Sequence, residues 1–211
     1  RVIYNAIDNS HTRQEELPLI RELREHGCFL VGNVGRINTQ KGFAYYINAA
    51  EIIKNKGLPI KFLIVGDGVL WSEMEEMVAE KNLQDTVFFL GFSNNVLNVI
   101  QKLDLVVLSS LWEGFPLTPI ETFSMGKTIV ATAVPGTVEI VKDHENGIIV
   151  PLKDSAAIAN AVILLYENPT LRGKLEAAAK ATYAAKFSYP SFCENYLHVY
   201  ELQGKKIEKD M

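Results

Sequence analysis

DLVVLSSLWEGFPLTPIETFSMGKTIVATAV, residues 104–134, contains two short apolar runs separated by a loop and a helix. DLVVLSS (104–110) and TIVATAV (128–134) lack the polar alternation of a half-exposed strand, so both read as strands buried on two faces. Between them Thr118 is followed three residues later by Glu121, the spacing of a capping box, and Pro119 falls at the expected first helical position. A helix is therefore expected near 119–125. A strand, a crossover helix and a strand of the same kind make a parallel, right-handed unit. The same alternation continues outward. FLVGNV (29–34), KFLIVG (61–66), TVFFLG (86–91) and GIIVP (147–151) are further strands, with helices expected at 43–56, 70–81 and 95–101. The expected fold is α/β, a Rossmann-like doubly wound parallel sheet.

Both ends of the chain differ from this pattern. RVIYNAID (1–8) lacks an initial methionine and reads as a strand (Val2, Ile3, Tyr4) running into a turn. A start in the middle of structure suggests a piece of a longer protein. From 154 onward the pattern is helical, giving peripheral helices appended to the sheet. The last of these is expected at 188–203, followed by a charged tail, GKKIEKDM, expected to fray. The division is a Rossmann-like unit at 1–187 and a C-terminal helix and tail at 188–211.

Composition narrows the classes. The 211 residues are 48% hydrophobic and 22% charged, with a net charge of -4. That is a globular core, and not the basic balance of a nucleic-acid binder. Cys28 opens an apolar run and is expected in the core. Cys193 lies in a helical pattern, and without a CxxC or Cys/His cluster neither a disulfide scaffold nor a zinc site is supported. A reducing, cytoplasmic setting fits. No run approaches the ~18 apolar residues of a membrane span, and no signal peptide is visible. The four histidines (His11, His26, His144, His198) are scattered in polar contexts and read as surface residues.

Ligands of such sheets bind beyond the C-terminal ends of the strands. Four loops lie there: GRINTQKG (35–42), GDG (66–68), GFSN (91–94) and SSLWEGFPLTP (109–119). Some tempting motifs fail. GDGVLW has Trp71 where a dinucleotide fingerprint needs glycine. GKT (126–128) lies between a helix and a strand, the reverse of a P-loop. No Asp-x-Asp pair supplies a metal–diphosphate site. GRINTQKG, by contrast, places Arg36 and Lys41 in one glycine-flanked loop, a fork of donors and a point charge suited to a diphosphate. Gly114 permits a bend, after which the amides of Phe115, Leu117 and Thr118 can face an anion. Glu113 and Glu121 on either side can accept hydrogen bonds from hydroxyls. Together they suit a nucleotide sugar. Glu121 also retains its capping reading.

In order along the chain, NAID (5–8), VGRINTQKG (34–42), LIVGDG (63–68), FLGF (89–92), the 104–132 stretch and GTVEIVKDHENGIIVPLKD (136–154) resemble the C-terminal, donor-binding half of a GT-B glycosyltransferase of family GT4, glycosyltransferase group 1. Glu113-x7-Glu121 matches the family signature. Ala6 replaces the usual glycine, and Met125–Gly126 stands where the family often has Ala-Cys-Gly or Ala-x-Gly. The resemblance implies retaining, metal-independent transfer of a hexosyl group from a UDP-, GDP- or ADP-sugar, with no cofactor. It implies Arg36 and Lys41 on the diphosphate, Glu113 on the sugar hydroxyls and Glu121 on the ribose. Gly35, Gly114, Phe115, Pro116, Leu117 and Thr118 would line sugar and phosphate, and Phe92 the base. It also implies an N-terminal acceptor domain in cis that this chain lacks, carrying the site for a glycan or lipid-linked acceptor and any peripheral membrane association. Alone, the chain is expected to be an inactive fragment, with polysaccharide or lipid-linked glycan synthesis as its setting. Phe192, Tyr196 and Tyr200, on a helix that would meet that domain, are then expected to be partly exposed. Other readings are a non-catalytic binding module, an epimerase or a phosphorylase of the same architecture. The intact Arg36, Lys41, Glu113 and Glu121 set favours donor binding over a degenerate module. No motif supports a phosphorylase's cofactor lysine, and an epimerase would lack the Glu-x7-Glu context.

Overall fold

The computed structural model describes residues 2–10, 12, 14–15 and 17–209, with backbone alone for 201–209. Its elements run α1 (Pro18–Glu25), β1 (Phe29–Val34), a 3-10 turn (Thr39–Lys41), α2 (Phe43–Lys54), β2 (Ile60–Val65), α3 (Trp71–Glu80), β3 (Val87–Gly91), α4 (Val96–Lys102) and β4 (Leu105–Leu108). Then come α5 (Thr118–Ser124), β5 (Ile129–Thr132), α6 (Pro135–Ile140), β6 (Ile148–Val150), α7 (Ser155–Glu167), α8 (Pro169–Thr182), a π-helical turn (Tyr183–Phe187) and α9 (Tyr189–Lys209). All strand pairs are parallel, in the order β3-β2-β1-β4-β5-β6. This is the doubly wound sheet expected from the sequence.

The apolar runs have no polar alternation because both sheet faces are covered. Phe29, Val31, Phe62, Ile64, Leu105 and Val107 face α2, α3 and α7. Leu30, Leu63, Val65, Val106, Leu108 and Ile129 face α1, α4, α5 and α8. One polar group in this core is fully used. The hydroxyl of Tyr46, buried on α2, lies 2.8 Å from Val31 O and 3.2 Å from Leu63 O, tying the helix to β1 and β2. Burial pushes its pKa well above the ordinary tyrosine value. Tyr46→Phe is expected to cost about 1 kcal/mol, read as a lower denaturation midpoint with an unchanged slope.

The sequence expectations require several corrections. Val2–Tyr4 is not a strand. Tyr4 stacks on Phe115 with ring centroids 5.3 Å apart and meets the Phe187 edge at 5.6 Å, so its apolar surface is used in packing. Ile7 makes a single bridge with Ser188. The capping box does not form: Thr118 is already helical, Leu117 occupies the cap position, and Pro119 is the second helical residue. The Thr118 hydroxyl points instead to Val34 O at 3.5 Å, too long for a strong bond. The last helix runs past residue 203 through the charged tail to Lys209, while Asp210 and Met211 lie outside the described residues.

Two helices, α1 and α6, were not anticipated. Both start at a proline, but each is short, and α6 (PGTVEI) carries glycine and β-branched residues of low helix propensity. His26, His144 and His198 are exposed, as expected, and His11 lies outside the described residues. Cys28 is buried. On α9, Tyr196 and Tyr200 are exposed and Phe192 is half-buried, which matches the expectation for that helix. Among the described residues no helix is long and apolar enough to cross a membrane.

Candidate functional site

The strand order reverses between β1 and β4, so the loops leaving these neighbours diverge and open a crevice. The two loops are laced together below it. Ser109 Oγ donates to Lys41 O (2.8 Å) and accepts from Asn33 Nδ2 (2.9 Å). Leu111 N donates to Gln40 O at 2.7 Å. Gly42 has φ +60°, and a Cβ there would stand 2.4 Å from Ser109 O, so the close approach requires glycine. Behind the second loop, a Cβ on Gly136 of α6 would lie 2.1 Å from Gly114 O. The short helix is thus a buttress for residues 113–114. Thr132, at the end of β5, adds a hydroxyl shared between the carbonyls of Leu108 and Ser110.

The lacing ends in an ion pair. Lys41 Nζ donates to Glu113 Oε1 at 2.6 Å, and Ser110 Oγ donates to the same oxygen at 2.7 Å. The two charged side chains are only 15% and 7% exposed. Such a pair withstands desolvation because additional hydrogen bonds satisfy the carboxylate.

Above the pair lies a cavity of about 660 Å³. Gly35, Arg36 and Lys41 form the wall after β1, and Gly66, Asp67 and Gly68 the wall after β2. Phe92 and Ser93 after β3, with Val96 of α4, close one end, while Leu117, Thr118 and Glu121 form the floor at the start of α5. Phe92 is 73% exposed, a ring presented to solvent at the cavity mouth. Among the described residues, the amides of Phe115, Leu117 and Thr118 have no protein acceptor, and Arg36 has no hydrogen bond or ion pair. Glu121 is half-buried and likewise has no hydrogen-bonding partner there. Burial raises its pKa, with the Lys41 charge pulling the other way.

That raised pKa makes a sign-definite prediction. Above its folded value the carboxylate is charged without a partner and opposes folding. Below the ordinary carboxyl value of 4.5 both folded and unfolded chains are protonated and the penalty disappears. Glu121→Gln is therefore expected to raise the melting temperature of the empty chain at pH 7, with the gain vanishing as the pH falls to about 4. A pH series of thermal melts on both proteins measures it.

The structure brings Gly35, Arg36, Lys41, Phe92, Leu117, Thr118 and Glu121 to one cavity. Glu113 is joined to that group through Lys41, and Gly114 and Pro116 continue the loop beside it. The Phe115 ring turns away to stack on Tyr4. Sequence reasoning assigned no role to Gln40, Ser109, Ser110 or Asn33. They sit in loops it had marked, but a polar residue beside a buried carboxylate has no local signature. Asp67 and its flanking glycines, discounted as a failed dinucleotide motif, form a cavity wall. Among the described residues no group of three or more His, Cys, Asp and Glu side chains could hold a metal ion.

A cationic loop, free amides and a half-buried carboxyl without a hydrogen-bonding partner among the described residues, all in one crevice, can bind an anion that also carries hydroxyls. Residues 20–182 match the family model for glycosyl transferases group 1. The chain is 33% identical over 169 residues to the UDP-Gal:alpha-D-GlcNAc-diphosphoundecaprenol alpha-1,3-galactosyltransferase of Escherichia coli, covering 79% of this chain and 42% of that one. It superposes on the Anabaena Alr3699/HepE structure in complex with UDP-glucose with a TM-score of 0.83, at 23% identity, covering 95% of this chain and 57% of that one. A further likeness is to the C-terminal domain of the group 1 family protein LpcC from Francisella tularensis, with a TM-score of 0.75 at 26% identity, covering 87% of this chain and 100% of that one. The chain spans about half the length, or less, of the curated relatives it matches.

Proposed function

Because this chain belongs to the glycosyl transferases group 1 family, we propose that it is the donor-binding half of a retaining, metal-independent glycosyltransferase, which moves a hexosyl group from a nucleoside-diphosphate sugar to a glycan or lipid-linked acceptor. The observation that carries this reading is a pair of groups in one cavity that have no hydrogen-bonding partner among the described residues, the exposed Arg36 and the half-buried Glu121. Arg36 places a guanidinium where a diphosphate would lie. Glu121, at the start of α5, offers carboxylate oxygens to the ribose hydroxyls. The E. coli relative carries a UDP-sugar in its name and the Anabaena structure holds UDP-glucose, which supports the same ligand class here.

In this reading the chemistry is electrostatic. As the glycosidic bond breaks, charge develops on the leaving diphosphate, where Arg36, Lys41 and the amides of Leu117 and Thr118 stabilise it. Removing one such donor commonly raises a barrier by about 3 kcal/mol. Glu113 orients the sugar through its hydroxyls. Its Oε1 is held by Lys41 and Ser110, and the carboxylate is given the orienting role and not that of a covalent nucleophile. Residues 1–187 would make the donor-binding unit. A companion domain would supply the acceptor site and pack on α9, where Tyr189, Tyr196 and Tyr200 are exposed. Without that domain the chain would bind donor weakly and transfer little.

Thermal melts with UDP, GDP and ADP and their sugar esters test the donor site. A ligand at a hundredfold excess over its dissociation constant stabilises the fold by about 2.7 kcal/mol. The absence of any shift at several millimolar with every nucleotide rejects the reading.

A further inference from the structure

Gln40 holds the loop of Glu113 at three successive residues. Its carbonyl accepts from Leu111 N at 2.7 Å. Its side-chain amide donates to Trp112 O at 3.0 Å and to Glu113 Oε2 at 3.3 Å. A carboxylate has about four acceptor positions, two on each oxygen. Both on Oε1 are filled, by the Lys41 ammonium at 2.6 Å and the Ser110 hydroxyl at 2.7 Å. Among the described residues Oε2 has Gln40 alone, so this oxygen keeps an acceptor position for a ligand.

The two contacts on Oε1 anchor one oxygen but leave the carboxylate free to swing about it. The Gln40 amide removes that freedom. It has two N–H bonds, one fixed on the Trp112 carbonyl and the other on Oε2, so the plane of the Glu113 carboxylate is set by a group that is itself held by backbone. We infer that Gln40 is a positioning residue: it aims the open acceptor position of Glu113 Oε2 at a hydroxyl of the donor hexose, and so tunes recognition of the sugar without touching it. This rests on the donor-site reading above, since Glu113 is given the sugar there.

A role of this kind has a selective signature. Arg36, Lys41 and Glu121 serve the diphosphate and ribose, which Gln40 does not aim. Gln40→Met keeps the length of the side chain and removes its donor. Dissociation constants would be measured by calorimetry on the whole chain for four matched pairs: UDP with UDP-glucose, UDP with UDP-galactose, UDP with UDP-N-acetylglucosamine, and GDP with GDP-mannose. For the pair that binds best, the expected result is a loss of about tenfold for the sugar ester and little change for the diphosphate. Glu113→Gln should show the same selectivity, and Gln40→Met added to Glu113→Gln should weaken the ester no further. Equal losses for diphosphate and ester would mean that Gln40 merely holds the loop, and would overturn the inference. So would an unchanged ester affinity, or full additivity with Glu113→Gln. Failure of the unsubstituted chain to bind any of these ligands, or ADP and ADP-glucose, would reject the donor site itself, and the inference with it.

Discussion

Lys41→Met is expected to cost the chain about 3 kcal/mol of stability and, at the same time, most of its affinity for a nucleoside diphosphate. The first effect follows from the ion pair. Glu113 is 7% exposed, and Lys41, 15% exposed, is its only cationic partner within salt-bridge distance among the described residues. Removing the ammonium leaves a carboxylate out of water with only the neutral donors of Ser110 and Gln40. Breaking one side of a desolvated pair costs more than deleting both, because the surviving charge has no compensation. Lys41→Met combined with Glu113→Gln is therefore expected to recover most of the lost stability, since the remaining amide can be satisfied by Ser110. The second effect should not recover. Lys41 lines the cavity as well as pairing with Glu113, and neither methionine nor glutamine supplies a cation to a diphosphate. Urea denaturation and calorimetry on the single and double variants separate the two effects. A double variant as unstable as Lys41→Met would show that the pair is not what makes lysine necessary. Recovery of nucleotide affinity in the double variant would show that Lys41 serves only Glu113.

This double duty is also where sequence reading reached its limit. The strands were legible because a buried parallel sheet demands continuous apolar runs, and FLVGNV occupies Phe29–Val34. The main cavity loops were legible because they follow those strands, which is how Arg36, Lys41, Phe92 and Glu121 could be named in advance. What sequence could not supply was which groups already had partners. Arg36 and Lys41 look alike in GRINTQKG, yet one is exposed and unpaired while the other is locked to a carboxylate seventy-two positions away in the chain. Glu121 has the spacing of a cap, but the helix starts one residue earlier than that spacing requires, and its carboxyl has no hydrogen-bonding partner among the described residues. Tyr4 and the short α6 were misjudged for a related reason. Their conformations are set by distant contacts, the Phe115 ring and the Gly114 carbonyl, and not by local propensity.

The contrast between the two loop cations leads to the second large effect. Arg36→Ala is expected to leave stability nearly unchanged, because the side chain is exposed and ends no protein ion pair or hydrogen bond among the described residues. Its effect should appear in binding alone. A charge-assisted hydrogen bond contributes about 1.5–3 kcal/mol, so the affinity for a nucleoside diphosphate should fall by roughly 10- to 150-fold. The loss should scale with phosphate charge: large for the diphosphate, smaller for the monophosphate and negligible for the nucleoside, whose contacts would lie toward Glu121 and Phe92. Arg36→Lys should restore only part of it, since a point charge cannot make the paired bonds of a guanidinium. Calorimetric titration with uridine, UMP and UDP, and with the guanosine series, distinguishes this pattern from general damage to the site. A uniform loss across all three ligands would place Arg36 in the scaffold of the loop. No loss with any of them would mean that the diphosphate lies elsewhere in the cavity, with Lys41 and the amides of Leu117 and Thr118 as its remaining partners.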